Sequence, residues 1–154
     1  MTEPLQLDAK AWALLMALQE DGRAPLKTLA QAAGLSVPAT VERLKRLKES
    51  GVVRSIGAEL DPELAGYHVR AIVGITVQQP GKKAFLDKLR RAPEVLECHH
   101  VAGADSYIVT VVSPSLEELE RFLGSINGYG ETRTSIVFST PVPRRGLVAP
   151  GSSR

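Results

Sequence analysis

The chain has 154 residues, enough for one ordinary domain or two small ones, and 44% of them are hydrophobic, which supports a packed core and excludes a disordered chain. The net charge of +2 singles out no class of partner, and the single cysteine, Cys98, excludes an intrachain disulfide. No apolar run approaches the ~18–20 residues of a membrane span. The start, Met1-Thr2-Glu3-Pro4, has neither the basic beginning nor the apolar core of a signal peptide. A cytoplasmic protein without a membrane partner is expected.

Asp8 suits the N-cap of a first helix, with Leu7 placed to pack on Trp12. Ala11, Leu14, Leu15 and Leu18 make its buried stripe, and Gly22 ends it. The stretch PLKTLAQAAGLSVPATVERLKRLK then holds two amphipathic helical patterns joined by a tight turn. Leu26, Leu29, Ala30 and Ala33 share one face of the first; Val37, Val41, Leu44 and Leu47 are expected to turn inward from the second. Gly34 suits the left-handed position that closes a helix, Ser36 caps the next one, and Pro38 lies in its first turn, where a missing N–H costs nothing. Two short helices with a Gly-containing turn are the helix-turn-helix pattern, whose second helix enters the DNA major groove. On this reading Ser36, Ala39, Thr40, Arg43, Lys45 and Arg46 face double-stranded DNA. The plain alternative is a solvated helix in a small bundle.

After Gly51, the residues Val52, Val53 and Ile56 suggest a short strand, a winged-helix-like addition that Gly57 interrupts. Residues 61–67, beginning Asp61-Pro62-Glu63, read as a linker, so a first domain is placed at 1–60. The second half, 68–142, has another rhythm. Val69 to Gln79 is β-branched; 82–92 is helical with Phe85, Leu86 and Leu89 inward; Val95 to Ala102 and Tyr107 to Val112 are strands around a Gly103–Ser106 turn. Pro114 opens a helix with Leu116, Leu119, Phe122, Leu123 and Ile126 on one side, and Thr132 to Val142 is a last strand. The order βαββαβ is the ferredoxin-like one, making the chain α+β. Its uncovered sheet face is expected to carry Val73, Ile75, Val109 and Val111, an apolar surface that would seek a partner. The tail, 143–154, rich in Pro, Gly, Ser and Arg, reads as mobile.

An enzyme would have to use Cys98, His99 and His100, since the only other histidine is His68. Alternation puts Cys98 and His100 on one face and His99 on the other, and two ligands from one strand do not close a zinc site. No phosphate loop or nucleophile elbow is present. No catalytic residue, metal site or cofactor is therefore assigned. A ferredoxin-like enzyme, or an effector-sensing adaptor without operator binding, is the competing reading.

Several segments together resemble the Lrp/AsnC, or feast-or-famine, family of transcription regulators. They are LQEDGR at 18–23, LAQAAGLS at 29–36, VERLKRLKESGVV at 41–53, Asp61 to Gly66, Glu97-Cys98-His99 with Val101-Ala102-Gly103 and Tyr107, and Thr132-Arg133-Thr134. The resemblance implies a helix-turn-helix in front and a ferredoxin-like effector domain behind. It also implies homodimers through the C-terminal sheets that assemble to tetramers, octamers or larger, and control by an amino acid or related metabolite. The family's Gly-Asp-x-Asp-Tyr turn reads Gly103-Ala104-Asp105-Ser106-Tyr107 here, with Ala104 and Ser106 in place of the two acids. The resemblance puts the effector at Gly103, Ala104, Asp105, Ser106 and Tyr107, approached by Ser135, Ile136 and Val137. A plain hairpin turn is the alternative for that loop.

Overall fold

The computed structural model describes residues 6–152. The readings made on Met1–Pro4 and on the last two residues lie outside the described residues. The chain forms two compact units, residues 1–59 together with 143–154, and residues 60–142.

The first unit holds α1 (Ala9–Glu20), α2 (Leu26–Ala33) and α3 (Val37–Glu49). Asp8 caps α1 by accepting the Ala11 amide at 2.7 Å, and Ser36 caps α3 by accepting that of Ala39 at 3.4 Å. Gly34, at φ +60°, closes α2, and the Leu35 amide reaches back to the Ala30 carbonyl at 2.9 Å. Leu14, Leu15, Leu18, Leu29, Ala33 and Leu47 form the core, with Leu7, Trp12, Leu44 and Val53 against it.

Two expectations about this unit fail. No strand forms at Val52–Ile56: Gly51 turns the chain at φ +76°, the Val53 amide bonds the Leu47 carbonyl, and no neighbouring strand offers a ladder, so the unit is three helices without a wing. Leu26 is exposed. In the tail, Leu147 is hydrogen-bonded through both its backbone groups by the side chain of Gln19 in α1.

The second unit holds β1 (Val69–Ile75), α4 (Lys82–Arg91), β2 (Val95–His100), β3 (Tyr107–Ser113), α5 (Leu116–Ile126) and β4 (Thr132–Ile136). The antiparallel sheet has the order β2-β3-β1-β4. It is the expected βαββαβ arrangement, with shorter first and last strands than the apolar runs suggested. Residues 61–67 are an ordered turn of this unit, in which Asp61 Oδ1 accepts the amides of Glu63 and Leu64.

The two helices cover one face of the sheet. Ala71, Val73, Ile75, Tyr107, Val109 and Val111 pack there against Phe85, Leu89, Leu119, Phe122 and Ile126. Val73, Ile75, Val109 and Val111 are thus core, not the open face. The wholly apolar alternating set lies under the helices, and the mixed set is left outside. That outer set includes Ile72, Gly74, Ile108, Thr110, His99, Arg133 and Ser135, aligned by the register Ile72↔Ser135, Gly74↔Arg133 and His99↔Ile108.

Candidate nucleic-acid and effector sites

Helix α3 is rotated from its expected orientation. Its inward stripe is Thr40, Leu44 and Leu47, and Thr40 is fully buried (0% exposed). Its hydroxyl donates to the Ser36 carbonyl at 2.9 Å, which satisfies it inside the helix, so its methyl can pack like a small apolar group. Thr40 is therefore withdrawn from the DNA-facing set, and Ala39 is half-buried beside it. Val37 and Val41, expected inside, are exposed with Ser36, Pro38, Glu42, Lys45, Arg46 and Lys48. The missed residues left a trace in the sequence. Thr40, Leu44 and Leu47 keep helical spacing as well as the valines do.

The arginines differ in employment. Arg43 is half-buried and donates to Asp8 Oδ1 at 2.8 Å, bracing α3 against the start of α1. That oxygen also takes the Ala11 amide, and the two hydrogen bonds hold the Asp8 carboxyl below its ordinary range, the backbone bond contributing most. Arg46 is exposed and makes only an i,i+4 pair with Glu42 at 3.1 Å; Lys45 reaches Glu49 at 3.9 Å. Such surface pairs exchange readily for a phosphate. The outward face thus combines an apolar first turn, suited to thymine methyl groups, with cations one to three turns on.

The β2–β3 turn folds over the open sheet face. Val101 donates to the Ser106 carbonyl, Ser106 donates to the Ile75 carbonyl, and the Thr76 hydroxyl donates to the Ala104 carbonyl at 3.2 Å. The Asp105 carboxylate rests over Gly74, where a Cβ would overlap it. Arg133, cross-strand partner of Gly74, holds Asp105 at 2.6 Å. The Asp105 side chain is 16% exposed and that of Arg133 60%. Sequence reasoning did not assign Arg133 to this site; only the strand register brings it there.

Within one chain the remaining expected effector residues do not join this cluster. Ser135 and Ile136 stand opposite Ile72 and Ala71, further along β4, and Val137 donates to the Arg70 carbonyl. Tyr107 faces the core, in tilted ring contacts with Phe85 at 5.4 Å and His100 at 5.0 Å between centroids. It meets a cleft of about 470 Å³ between α4 and β2, lined also by Leu86, Leu89, Leu96 and Cys98. Burial pushes the Cys98 thiol up, away from the thiolate a metal or nucleophilic role needs. His99 pairs with Glu97 at 3.2 Å on the opposite face from Cys98 and His100. Among the described residues no three His, Cys, Asp or Glu side chains gather to hold a metal ion, and no helix is long and apolar enough to cross a membrane.

Comparison with known proteins matches residues 7–48 to the AsnC-type helix-turn-helix domain and residues 70–147 to the Lrp/AsnC ligand-binding domain. The chain belongs to the Lrp/AsnC family of transcriptional regulators. It is 37% identical over 123 residues to the HTH-type transcriptional regulator FL11 of Pyrococcus furiosus, covering 78% of this chain and 82% of that one. It is 38% identical over 130 residues to the regulator LrpA of Mycobacterium tuberculosis, covering 82% and 87%. Among solved structures, a feast or famine regulatory protein from M. tuberculosis complexed with L-methionine superposes with a TM-score of 0.84 at 35% identity, covering 94% of this chain and all of that one. As an Lrp/AsnC protein the chain is a DNA-binding transcriptional regulator with a ligand-binding domain, and the enzyme and adaptor readings fall away.

Proposed function

We propose that the exposed face of α3 reads an operator in the major groove, with Ser36, Val37, Pro38 and Val41 at base edges and Lys45, Arg46 and Lys48 on bases or phosphates. The observation that carries this is the burial of Thr40, which turns Val37, Val41 and Arg46 outward together. Ala39 and Arg43 retreat to supporting positions. DNA binding is assigned to residues 1–60 and effector sensing to 68–142. A regulator of this kind works where the DNA is, in the cytoplasm.

The effector we propose is an amino acid, held at the Gly103–Tyr107 turn where Asp105 and Arg133 supply opposite charges for an ammonium and a carboxylate. The methionine bound by a 35% identical relative supports testing that ligand first. Ser135, Ile136 and Val137 join the site only if a second copy completes it. Ile72 and Ile108 on the open sheet face favour a homodimer there, and higher assemblies built on it would set the spacing of the DNA-binding units. Selection of bound fragments from the source genome tests the reading. Recovery of a shared sequence supports it, and recovery no better than for random DNA removes it. Light scattering at micromolar concentration tests the dimer; a single species near 16.6 kDa refutes it.

A further inference from the structure

The last turns of α1 hold two distant segments of the chain. Gln19 accepts the Leu147 N–H through Oε1 at 2.7 Å and donates through Nε2 to the Leu147 carbonyl at 3.0 Å. One side chain thereby pairs both backbone groups of a residue 128 positions away. Gly146 approaches so closely that a Cβ there would meet Gln19 side-chain atoms at 3.1 Å. Three residues after Gln19, Gly22 makes room for Ile56, whose Cγ2 would stand 2.9 Å from a Cβ at that position. Ile56 lies where the chain leaves the helix-turn-helix unit, and Leu147 lies where it has returned. The returning passage is hydrogen-bonded to Gln19, and the departing one lies against Gly22, just past the end of α1.

We infer that the tail from Pro143 onward is a strap, a second fastened connection through which the effector unit is tied to α1. A single short linker leaves two small domains free to reorient. A second passage, anchored beside the first, removes much of that freedom, because the intervening unit becomes a loop closed at both ends. Motion of the effector unit must then act on α1. At its other end α1 meets α3 through the Asp8–Arg43 bridge, so the strap and the recognition helix share one rigid element. This holds whichever small molecule is sensed, and it is tested without one.

The test uses the full-length protein, Gln19→Ala, Gln19→Glu and a chain ending at Val142. Arg144 and Arg145 are exposed, and the bond after Arg145 lies two residues before the tethered Leu147, so opening of the strap should speed tryptic cleavage there. Wild type should be cut roughly tenfold more slowly than Gln19→Ala, the effect of two ordinary hydrogen bonds. Gln19→Glu keeps the acceptor, loses the donor and falls between. Trp12, the only tryptophan, lies in α1, so its fluorescence anisotropy decay reads segmental motion of the helix-turn-helix unit. Gln19→Ala and the shortened chain should gain a fast segmental component that wild type lacks. Equal trypsin rates in wild type and Gln19→Ala overturn the strap. So does a shortened chain whose anisotropy decay matches wild type.

Discussion

Arg43 and Ala11 meet at one oxygen of Asp8: the guanidinium at 2.8 Å and the amide at 2.7 Å both donate to Oδ1. The helix cap and the brace between α1 and α3 are therefore one device. An arginine that looks free on a helical wheel is held by an acid 35 residues earlier. It braces α3 against the start of α1.

Asp8 gives the first prediction. Its folded pKa lies below the ordinary 3.8, first because of the Ala11 amide and then because of Arg43. A depressed carboxylate stabilises the fold above its unfolded pKa and loses that contribution as pH falls through the folded value. Asp8→Asn should therefore be less stable than wild type at pH 7, and the gap should close on acidification below pH 3.8. In a double-mutant cycle, Arg43→Ala should cost less in the Asp8→Asn background. Thermal melts across pH measure both. A gap that stays constant with pH would show that the charge does not matter.

Thr40 gives the second. Thr40→Val removes the hydroxyl while the Ser36 carbonyl keeps its bond to the residue 40 amide at 2.9 Å, so stability should change by no more than about 1 kcal/mol. Thr40→Asp buries an unpaired charge and should cost roughly 3–5 kcal/mol or prevent folding. Operator selectivity should be unchanged in Thr40→Val. Altered base preference in a stable Thr40→Val protein would return the residue to the DNA-facing set.

Much of this fold was legible beforehand, because helical and strand periodicities differ and the caps Asp8 and Ser36 stand where they should. The rotation of α3 was not. Val37, Val41 and Leu44 make as good a stripe as Thr40, Leu44 and Leu47, and a valine looks more apolar than a threonine. What decides is the bond from the Thr40 hydroxyl to Ser36, which composition does not reveal. The misplaced sheet face has another cause. Polar and apolar outer residues alternate with an inner set that is apolar throughout, and weighing the two sets against each other would have placed Val73 and Val109 inside. Arg133 could not be assigned to the turn from spacing, since it lies 28 residues from Asp105 and only the β1–β4 register joins them.

The third prediction concerns DNA. Arg46→Ala should weaken operator binding by roughly 1–3 kcal/mol with loss of preference at one base pair, if the side chain reads a base. A phosphate contact would instead weaken all sequences alike and lower the salt slope by about 1. Val41→Ala, exposed in the free protein, should leave the melting temperature unchanged and relax discrimination where a thymine methyl is read. Gel-shift titrations at two salt concentrations separate these effects. If Arg46→Ala and Val41→Ala both bind operator like wild type, α3 presents a different face to DNA.

The last prediction tests the turn. Asp105 can lie over the sheet only because residue 74 has no side chain. Gly74→Ala must push the carboxylate aside and break its 2.6 Å bridge to Arg133, at an overpacking cost of about 1–3 kcal/mol. Arg133→Met removes the cation without displacing the turn; Arg133 itself is exposed, so the stability cost falls on the largely buried Asp105 carboxylate left without its partner. If the Asp105–Arg133 pair reads an amino acid, both changes should weaken L-methionine, or whichever amino acid binds wild type, by at least about tenfold, the worth of one charge-assisted hydrogen bond. Ser106→Ala, which keeps both charges, should weaken it less. Calorimetry with the common amino acids at millimolar concentration, paired with melts of each variant, distinguishes a lost contact from a lost fold. Should Arg133→Met and Gly74→Ala bind the same amino acid as tightly as wild type, the bridge merely pins a hairpin to the sheet, and the effector is held elsewhere.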